Sequence, residues 1–539
     1  MIVRCVVIWI VVFAGGYGAA VCLGNEENIS WKVEYRGSSP PQEQGWTPIG
    51  GLAGKAKIVD GALQVADDCA DDMACFRATW NADPTCETIV EAKVRVVSLK
   101  AWRGGTTVWP WRDGAPVGLF VSDGRHQEGL SLCPRRISTF MDRFFLMDTT
   151  RDFHVYRLVI RGTDMSVFVD GERRINGEEA FWKPADSPDP FVQFGSSSKK
   201  FMGESYWEYV RLGVRKAEVP PKKNDLKITI GEPWEIPSVA KVHNTRPYLY
   251  NVGEGVLLMS VAQGPDKYYE PYGILKSTDE GKTWVPMKDL QLKTFSPQPM
   301  IRLGDGNIMG VSRWNVKYED GVYVGLTYRF DRKAETFTMY ENKILAPKDT
   351  TPIMVFDRHI FDVGGGVILA VVYDCKSHSY LLKTTDEGRT WTHFSTIGKG
   401  EEPSVARLSE SEWTAVFRQT SMAAFLQVFS HDGGKTWSQP TVLEEGSVDA
   451  DMVYMSNGVL ACSYGRPGSC IMFSTDKGKT WGHHRVISEQ AGFNYTTIRE
   501  VRPGRLLYVH DAPKLQAVYV DVERTDQLFF PIGRPDSRP

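Results

Sequence analysis

The chain has 539 residues, with 63 Lys and Arg against 66 Asp and Glu and 42% hydrophobic residues. That length suits two or three domains of roughly 100–200 residues each, and the composition is that of a globular protein. A net charge of −3, spread along the chain, lacks the clustered basic face of a nucleic-acid binder, so any recognition of an anion must be local.

The first stretch, MIVRCVVIWIVVFAGGYGAA, has one basic residue (Arg4), an apolar run from Cys5 to Ala14, and then small residues including Gly18 and Ala20. This reads as a signal peptide over 1–20. The run is short for a membrane span, and no later segment is long and apolar enough to be one. The mature chain is therefore expected to be secreted, periplasmic or at the cell surface, without a stable span. Cys22 offers a lipoprotein alternative, but Val21 fits a lipobox poorly. In an oxidising compartment some of Cys69, Cys75, Cys86, Cys133, Cys375, Cys462 and Cys470 are expected to be bridged. Seven is odd, so at least one is unpaired, with Cys375 the choice, and a Cys462–Cys470 bridge is expected across a short hairpin.

Residues 25–219 show short alternating runs such as HVYRLVIRG and MSVFVDGE, and almost no helical periodicity. In the second run a strand meets an Asp-Gly turn, which is a hairpin signal. The series YRLVIRGTDMSVFVDGERRI, FVQFGSSS and SYWEYVRLGV resembles the later strands of a concanavalin-like (laminin-G-like) jelly roll. The acidic stretch DDCADDMAC (67–75) has no EF-hand spacing and reads as a solvated loop. AEVPPKKND reads as a linker, with its core at 220–226.

From 227 to 531 the chain becomes periodic. One half of the repeat is a glycine before an apolar strand: GEGVLLMSV, GDGNIMGVS, GGGVILAVV, SNGVLACSY and PGRLLYVHD. Anchors fall at Gly255, Gly306, Gly366, Gly458 and Gly504, with a degenerate copy near Glu412; the later ones are about 46 residues apart. That period is typical of four-stranded propeller blades, and six anchors predict six. The strand at 227–230 is expected to close the ring against AVYVDV. The other half is an octet: STDEGKTW (277–284), TTDEGRTW (384–391), SHDGGKTW (430–437) and STDKGKTW (474–481). Its Asp suits an Asx-type turn, its Gly a positive φ, and its Trp an apolar anchor. The octets are therefore structural, which excludes Asp279 from the chemistry.

These octets resemble the Asp boxes (BNR repeats) of the sialidase, or neuraminidase, superfamily. The resemblance implies an all-β protein, a jelly-roll sandwich followed by a six-bladed β-propeller, acting as an exo-α-sialidase on sialylated or other acidic glycans. It implies an arginine triad for the sugar carboxylate: Arg246 in NTRPYLY, Arg418 ending EWTAVFR, and Arg466 in SYGRPG. The apolar residue that the family places between Arg and Pro is missing after Arg246. Arginine suits the task because its planar fork binds carboxylates bidentately. The resemblance also implies Tyr495 as nucleophile, Glu402 as its base, and Asp266 as acid/base. A neutral phenol avoids repulsion by the substrate carboxylate, the tyrosine exception among glycosidases. Glu401 and Glu270 are substitutes for the base and the acid. Arg313 is a further substrate-binding candidate; Trp314 and Tyr464 fit either a sugar pocket or blade packing. His359, Asp374, His510 and Asp511 also lie near strand ends. No histidine shows metal-ligand spacing, and neither metal nor cofactor is expected. A non-catalytic glycan- or protein-binding propeller is an alternative reading. Another is a hydrolase or lyase for a different acidic sugar, in which His359 or His510 would matter.

Overall fold

The structure is a computed structural model. It describes residues 28–525 except 102–114, 217–224, 237–245, 262–273, 288–296 and shorter stretches such as 69–71, 375–377 and 466–467. The described residues are almost entirely strand, with two short 3-10 turns as the only named helical elements. No helix among them is long and apolar enough to cross a membrane.

Strands between Ser30 and Lys216 form one eight-stranded and one seven-stranded antiparallel sheet. Their facing apolar positions, including Tyr35, Trp46, Phe76, Val94, Leu130, Phe194 and Trp207, make a single core. This is the expected sandwich. Asp164–Val169 and Glu172–Ile175 pair across Asp170 and Gly171, both at positive φ, as the hairpin reading requires.

Strands from Leu226 to Arg524 form six blades. Blade 1 contains Tyr248–Asn251, Leu257–Ser260, Ile274–Ser277 and Val285–Pro286. Blade 2 contains Pro297–Arg302, Ile308–Ser312, Tyr323–Asp331 and Thr336–Leu345, and Trp314–Lys317 links it to blade 3 in one continuous sheet. Blade 3 is Ile353–Gly364, Val367–Asp374, Ser379–Thr384 and Thr390–Gly398; blade 4 runs from Glu401 to Leu443 and blade 5 from Val448 to Ser488. Blade 6 is Thr496–Arg502, Arg505–His510 and Gln516–Arg524, completed by Leu226–Ile230, whose Ile230 pairs with Val520. The first strands of successive blades touch in ring order, and blade 6 returns to blade 1. The propeller ring is closed, and each blade keeps only a short outer edge.

All four octets have the same local chemistry. In the first, Asp279 accepts the Thr283 N–H at 2.9 Å and its hydroxyl at 2.7 Å, while Ser277 Oγ accepts the Gly281 N–H at 2.9 Å. The other three repeat the pattern through Asp386, Asp432 and Asp476. Gly281 must be glycine, because its φ is 88° and a Cβ would stand 2.3 Å from Leu507 Cδ2. Each octet joins the third strand of its blade to the fourth. The second strand ends at the opposite face, where Arg418 lies, so the octets sit away from that face.

One expectation fails. Cys462 and Cys470 are buried thiols that are not bridged. In the ladder Cys462 pairs with Met472 and Cys470 with Tyr464, so the two are offset by two residues and fill core space. Cys75, Cys86 and Cys133 are also unbridged thiols; Cys69 and Cys375 lie outside the described residues.

Candidate active site at the propeller axis

A β-strand alternates its side chains, so a regular inner strand sends only every second residue to the axis. This propeller breaks that rule at one end. The first strands of blades 2, 3, 4 and 5 lose register at Pro297/Met300, Phe356/Ile360, Glu401/Ser404 and Val448/Asp451. Arg358, Glu402 and Asp449 sit in three of these irregularities at φ of 31°, 50° and 54°. In blades 1 and 6, Arg246 (φ 32°) and Asn494 (φ 51°) occupy the position two residues before the first strand. Non-glycine residues rarely adopt such φ values, and they persist where the surroundings over-determine them. The consequence is a ring of polar residues at one mouth of the propeller.

Two clusters fill this mouth. In the first, Arg246 stacks over the Tyr495 ring, 4.0 Å from guanidinium carbon to ring centroid, and its Nη2 donates to the phenol oxygen. The Tyr495 N–H donates to Asp511 Oδ1 at 2.9 Å. Burial pushes the Asp511 carboxyl up to about 7, against hydrogen bonds from the backbones of Tyr495 and Arg246. Beside this group, Arg418 Nη1 lies 3.2 Å from Glu402 Oε2, which also accepts the Asp449 N–H at 3.2 Å. Arg418 lies within electrostatic reach of Glu402, Glu401 and Tyr495 together. The expected Arg246, Arg418, Glu402 and Tyr495 thus meet at one end of the axis.

The second cluster escapes a motif reading. Arg358 is buried and paired with Asp449 (2.5 Å) and Asp451 (3.3 Å) of blade 5, and its Nη1 donates to the Thr496 carbonyl at 2.8 Å. Burial alone would raise the Asp451 carboxyl, but Arg499, Arg358 and His359 hold it well below the usual carboxylate range. Asp357, next in the chain, is fully buried, and neither carboxylate oxygen has a hydrogen-bond partner. Burial pushes it up to about 7, with Asp449 and Glu402 adding to the effect and Arg313 and Arg358 opposing it. Arg313 is also buried; its Nη1 donates to the Tyr248 hydroxyl, while Nε and Nη2 have no partner. The signal in the sequence is a polar triplet, Asp357-Arg358-His359, inside the apolar strand IMVFDRHIFDV, and the DAD of VDADMVY in blade 5.

Other candidates take plainer places. His359 hydrogen-bonds Ser404 at 2.9 Å, lies 3.2 Å from Asp451 Oδ1 and stacks on Phe361, which ties it into the second cluster. Tyr464 packs against Phe425 inside the apolar cluster of blades 4 and 5. Asp374 accepts the His378 N–H at 2.9 Å and closes its own hairpin. Burial lowers His510 to about 4, so it is neutral at physiological pH. Asp266, Glu270 and Arg466 lie outside the described residues. Gly465, the end of the second strand of blade 5, lies close to the site: a Cβ on it would stand 1.8 Å from the Asn494 carbonyl oxygen, so this strand end presses on the residue beside Tyr495. Among the described residues no group of three or more His, Cys, Asp or Glu side chains is placed to hold a metal ion.

Comparison with known proteins agrees with the architecture. Residues 333–509 match the BNR repeat-like domain family, a span that contains three of the four octets. That stretch of the propeller is BNR repeat-like in sequence. No curated protein matches the chain. Among solved structures, a mutant NanB sialidase of Streptococcus pneumoniae is 11% identical with a TM-score of 0.40, covering 83% of this chain and 99% of that one. A Hadza microbial sialidase is 13% identical with a TM-score of 0.37, covering 86% and 98%. A Dyadobacter fermentans protein of unknown function is 18% identical with a TM-score of 0.45, covering 55% and 99%. A fold hosts many activities, so activity is argued from the site.

Proposed function

We propose that the protein is an exported exo-glycosidase that retains anomeric configuration and releases a terminal acidic sugar, sialic acid first among them. The observation that carries this reading is the Arg246–Tyr495 contact beside the Glu402–Arg418 pair. Arg246 and Arg418, with Arg466, hold the substrate carboxylate. A guanidinium donating to the Tyr495 oxygen stabilises negative charge as it develops there. Glu402 takes the phenol proton, and the Tyr495 oxygen attacks the anomeric carbon as Asp266 protonates the departing glycosidic oxygen. Asp266 then deprotonates the incoming water, which breaks the tyrosyl–sugar bond and returns the proton to Tyr495 through Glu402. Asp511 fixes the backbones of Arg246 and Tyr495 relative to each other. Residues 1–20 direct export, and the domains divide at the 220–226 linker.

The test uses the purified mature protein and a fluorogenic sialoside. Wild type turns it over, and Tyr495→Phe, Asp266→Asn and Arg418→Met each lose most of that activity while melting as wild type does. Absence of turnover by wild type rejects the sialidase reading and favours the non-catalytic alternative. Undiminished turnover by Tyr495→Phe rejects the mechanism.

A further inference from the structure

Blades of a propeller pack on their neighbours, and here the first strands of successive blades touch in ring order. Arg358 reaches further. It sits in the first strand of blade 3 and contacts residues of blades 5, 6 and 1. Blade 6 stands opposite blade 3 in the ring of six, so the contact with it crosses the axis. All three guanidinium nitrogens are used. Nε donates to Asp449 Oδ1 at 3.3 Å, Nη2 to the Asp449 carbonyl at 3.2 Å, and Nη1 to the Thr496 carbonyl at 2.8 Å. The guanidinium carbon lies 4.9 Å from the centroid of the Tyr248 ring. The far ends of these contacts adjoin the two groups that would exchange a proton. Thr496 follows Tyr495, whose own N–H is held by Asp511. The Asp449 N–H donates to Glu402 Oε2 at 3.2 Å. Asp451, which also pairs with Arg358, accepts the Thr497 hydroxyl at 2.7 Å and the Ile498 N–H at 3.1 Å. Tyr495 and Glu402 belong to blades 6 and 4, which are not neighbours, and Arg358 joins the two sides.

A buried ion pair adds little net stability over apolar packing, and its best-attested use is to fix one arrangement among several. What marks Arg358 is therefore what it ties together. We propose that Arg358 is a positioning residue, which holds Tyr495 and Glu402 at the separation that proton transfer between them needs. This rests on the reading that Tyr495 attacks the sugar and Glu402 takes its proton. Such a transfer works within hydrogen-bond reach, about 2.6–3.2 Å, and a displacement of about 1 Å can cost on the order of 100-fold in rate. Both sides of the pair start from strained backbone. Glu402 and Asn494, the residue before Tyr495, have φ of 50° and 51°, and Arg358 and Asp449 have 31° and 54°. These conformations persist where neighbours over-determine them, and the planar fork of one arginine acts on both sides at once. A lysine would keep the charge for Asp449 and Asp451. It ends in a single nitrogen, however, which cannot hold carbonyls from two blades in one plane.

The test uses the purified mature protein, the fluorogenic sialoside and Arg358→Lys, with Leu382→Ala in the core of blade 3 as a control for stability. Leu382 is fully buried, so its truncation lowers the melting temperature and leaves the axis alone. Assayed well below its melting temperature, Arg358→Lys loses on the order of 100-fold in kcat. Its KM stays within about threefold of wild type, because Arg246 and Arg418 still hold the carboxylate. Asp449→Asn loosens Arg358 from its other end and shows the same split with a smaller loss, on the order of 10-fold; it carries the test if Arg358→Lys does not fold. Leu382→Ala melts lower and keeps the wild-type kcat. Crystal structures of wild type and variant supply a readout independent of turnover: the distance from the Tyr495 oxygen to the nearer Glu402 oxygen grows by about 1 Å or more. Wild-type kcat in the variants overturns the positioning role, and so does an unchanged distance. Equal losses of kcat in Arg358→Lys and Leu382→Ala overturn it as well, because they trace to stability. Absence of turnover by wild type rejects the sialidase reading by itself; a distance that still grows then keeps the positioning of Tyr495 and Glu402, and one that does not removes both.

Discussion

The sandwich and the propeller both bury charge, and they do so in opposite ways. On the eight-stranded sheet, Arg157, Glu91 and Arg211 lie in one cross-strand row, and Arg161, Glu87 and Arg215 in another. Glu91 accepts from both its arginines and from the Tyr209 hydroxyl at 2.9 Å; Glu87 accepts from both of its own. These carboxylates are only 1% exposed, but they are closed on their neighbours. At the propeller axis the Arg358 pair is closed in the same manner, while Asp357, the free edge of Arg313 and Asp511 Oδ2 are left open. Burial of a charge alone does not mark a site, because closed ion pairs can be purely structural. The informative feature is a buried charge whose neighbours could pair with it and do not.

The largest effect comes from breaking the closed group at the axis. Arg358→Leu strands Asp449 without its cation, leaves Asp451 with Arg499 as its remaining cation, and costs about 3–5 kcal/mol, read as a drop in denaturant midpoint. Tyr495→Phe acts on the open side of the comparison: kcat on the fluorogenic sialoside falls by about 10²–10⁴-fold, with little change in melting temperature. Glu91→Gln in the sandwich costs less than Arg358→Leu, about 1–2 kcal/mol, because its arginines retain some solvent to fall back on. It leaves turnover unchanged.

The smallest effect is a pH dependence. Asp357 and Asp511 have folded-state pKa values near 7, above the unfolded carboxylate value of about 3.9. Between those limits the folded state binds more protons than the unfolded one, so stability falls as pH rises from about 4 to 7. Asp451 works in the opposite sense: its depressed pKa gives stability above the unfolded value that is lost as the medium becomes strongly acidic. Melting curves of Asp357→Asn should show a shallower decline across pH 4–7 than wild type. An unchanged slope would mean that Asp357 does not titrate in that window.

The sequence made the propeller readable because its signals are local and repeated. An octet with Asp, Gly and Trp at fixed offsets folds as one turn wherever it occurs, and six anchors count the blades. Arg246, Arg418, Glu402 and Tyr495 were picked out by the resemblance of their surroundings to sialidase motifs, and the fold brings them to one end of the axis. The floor of the site was not. Asp357, Arg358 and Asp449 reach the axis through strand irregularities and positive φ at residues that seldom adopt it, and strict alternation misplaces such residues. The thiols were misread for a related reason: their spacing fits a hairpin, but the ladder register sets them two residues apart.

The central claim is that Arg246, Tyr495, Arg418 and Glu402 together receive an acidic sugar. A crystal structure of the protein with N-acetylneuraminic acid tests it most directly. The account predicts the carboxylate against Arg246 and Arg418, with the anomeric carbon facing the Tyr495 oxygen. A sugar bound elsewhere, or one whose carboxylate touches neither Arg246 nor Arg418, would contradict it.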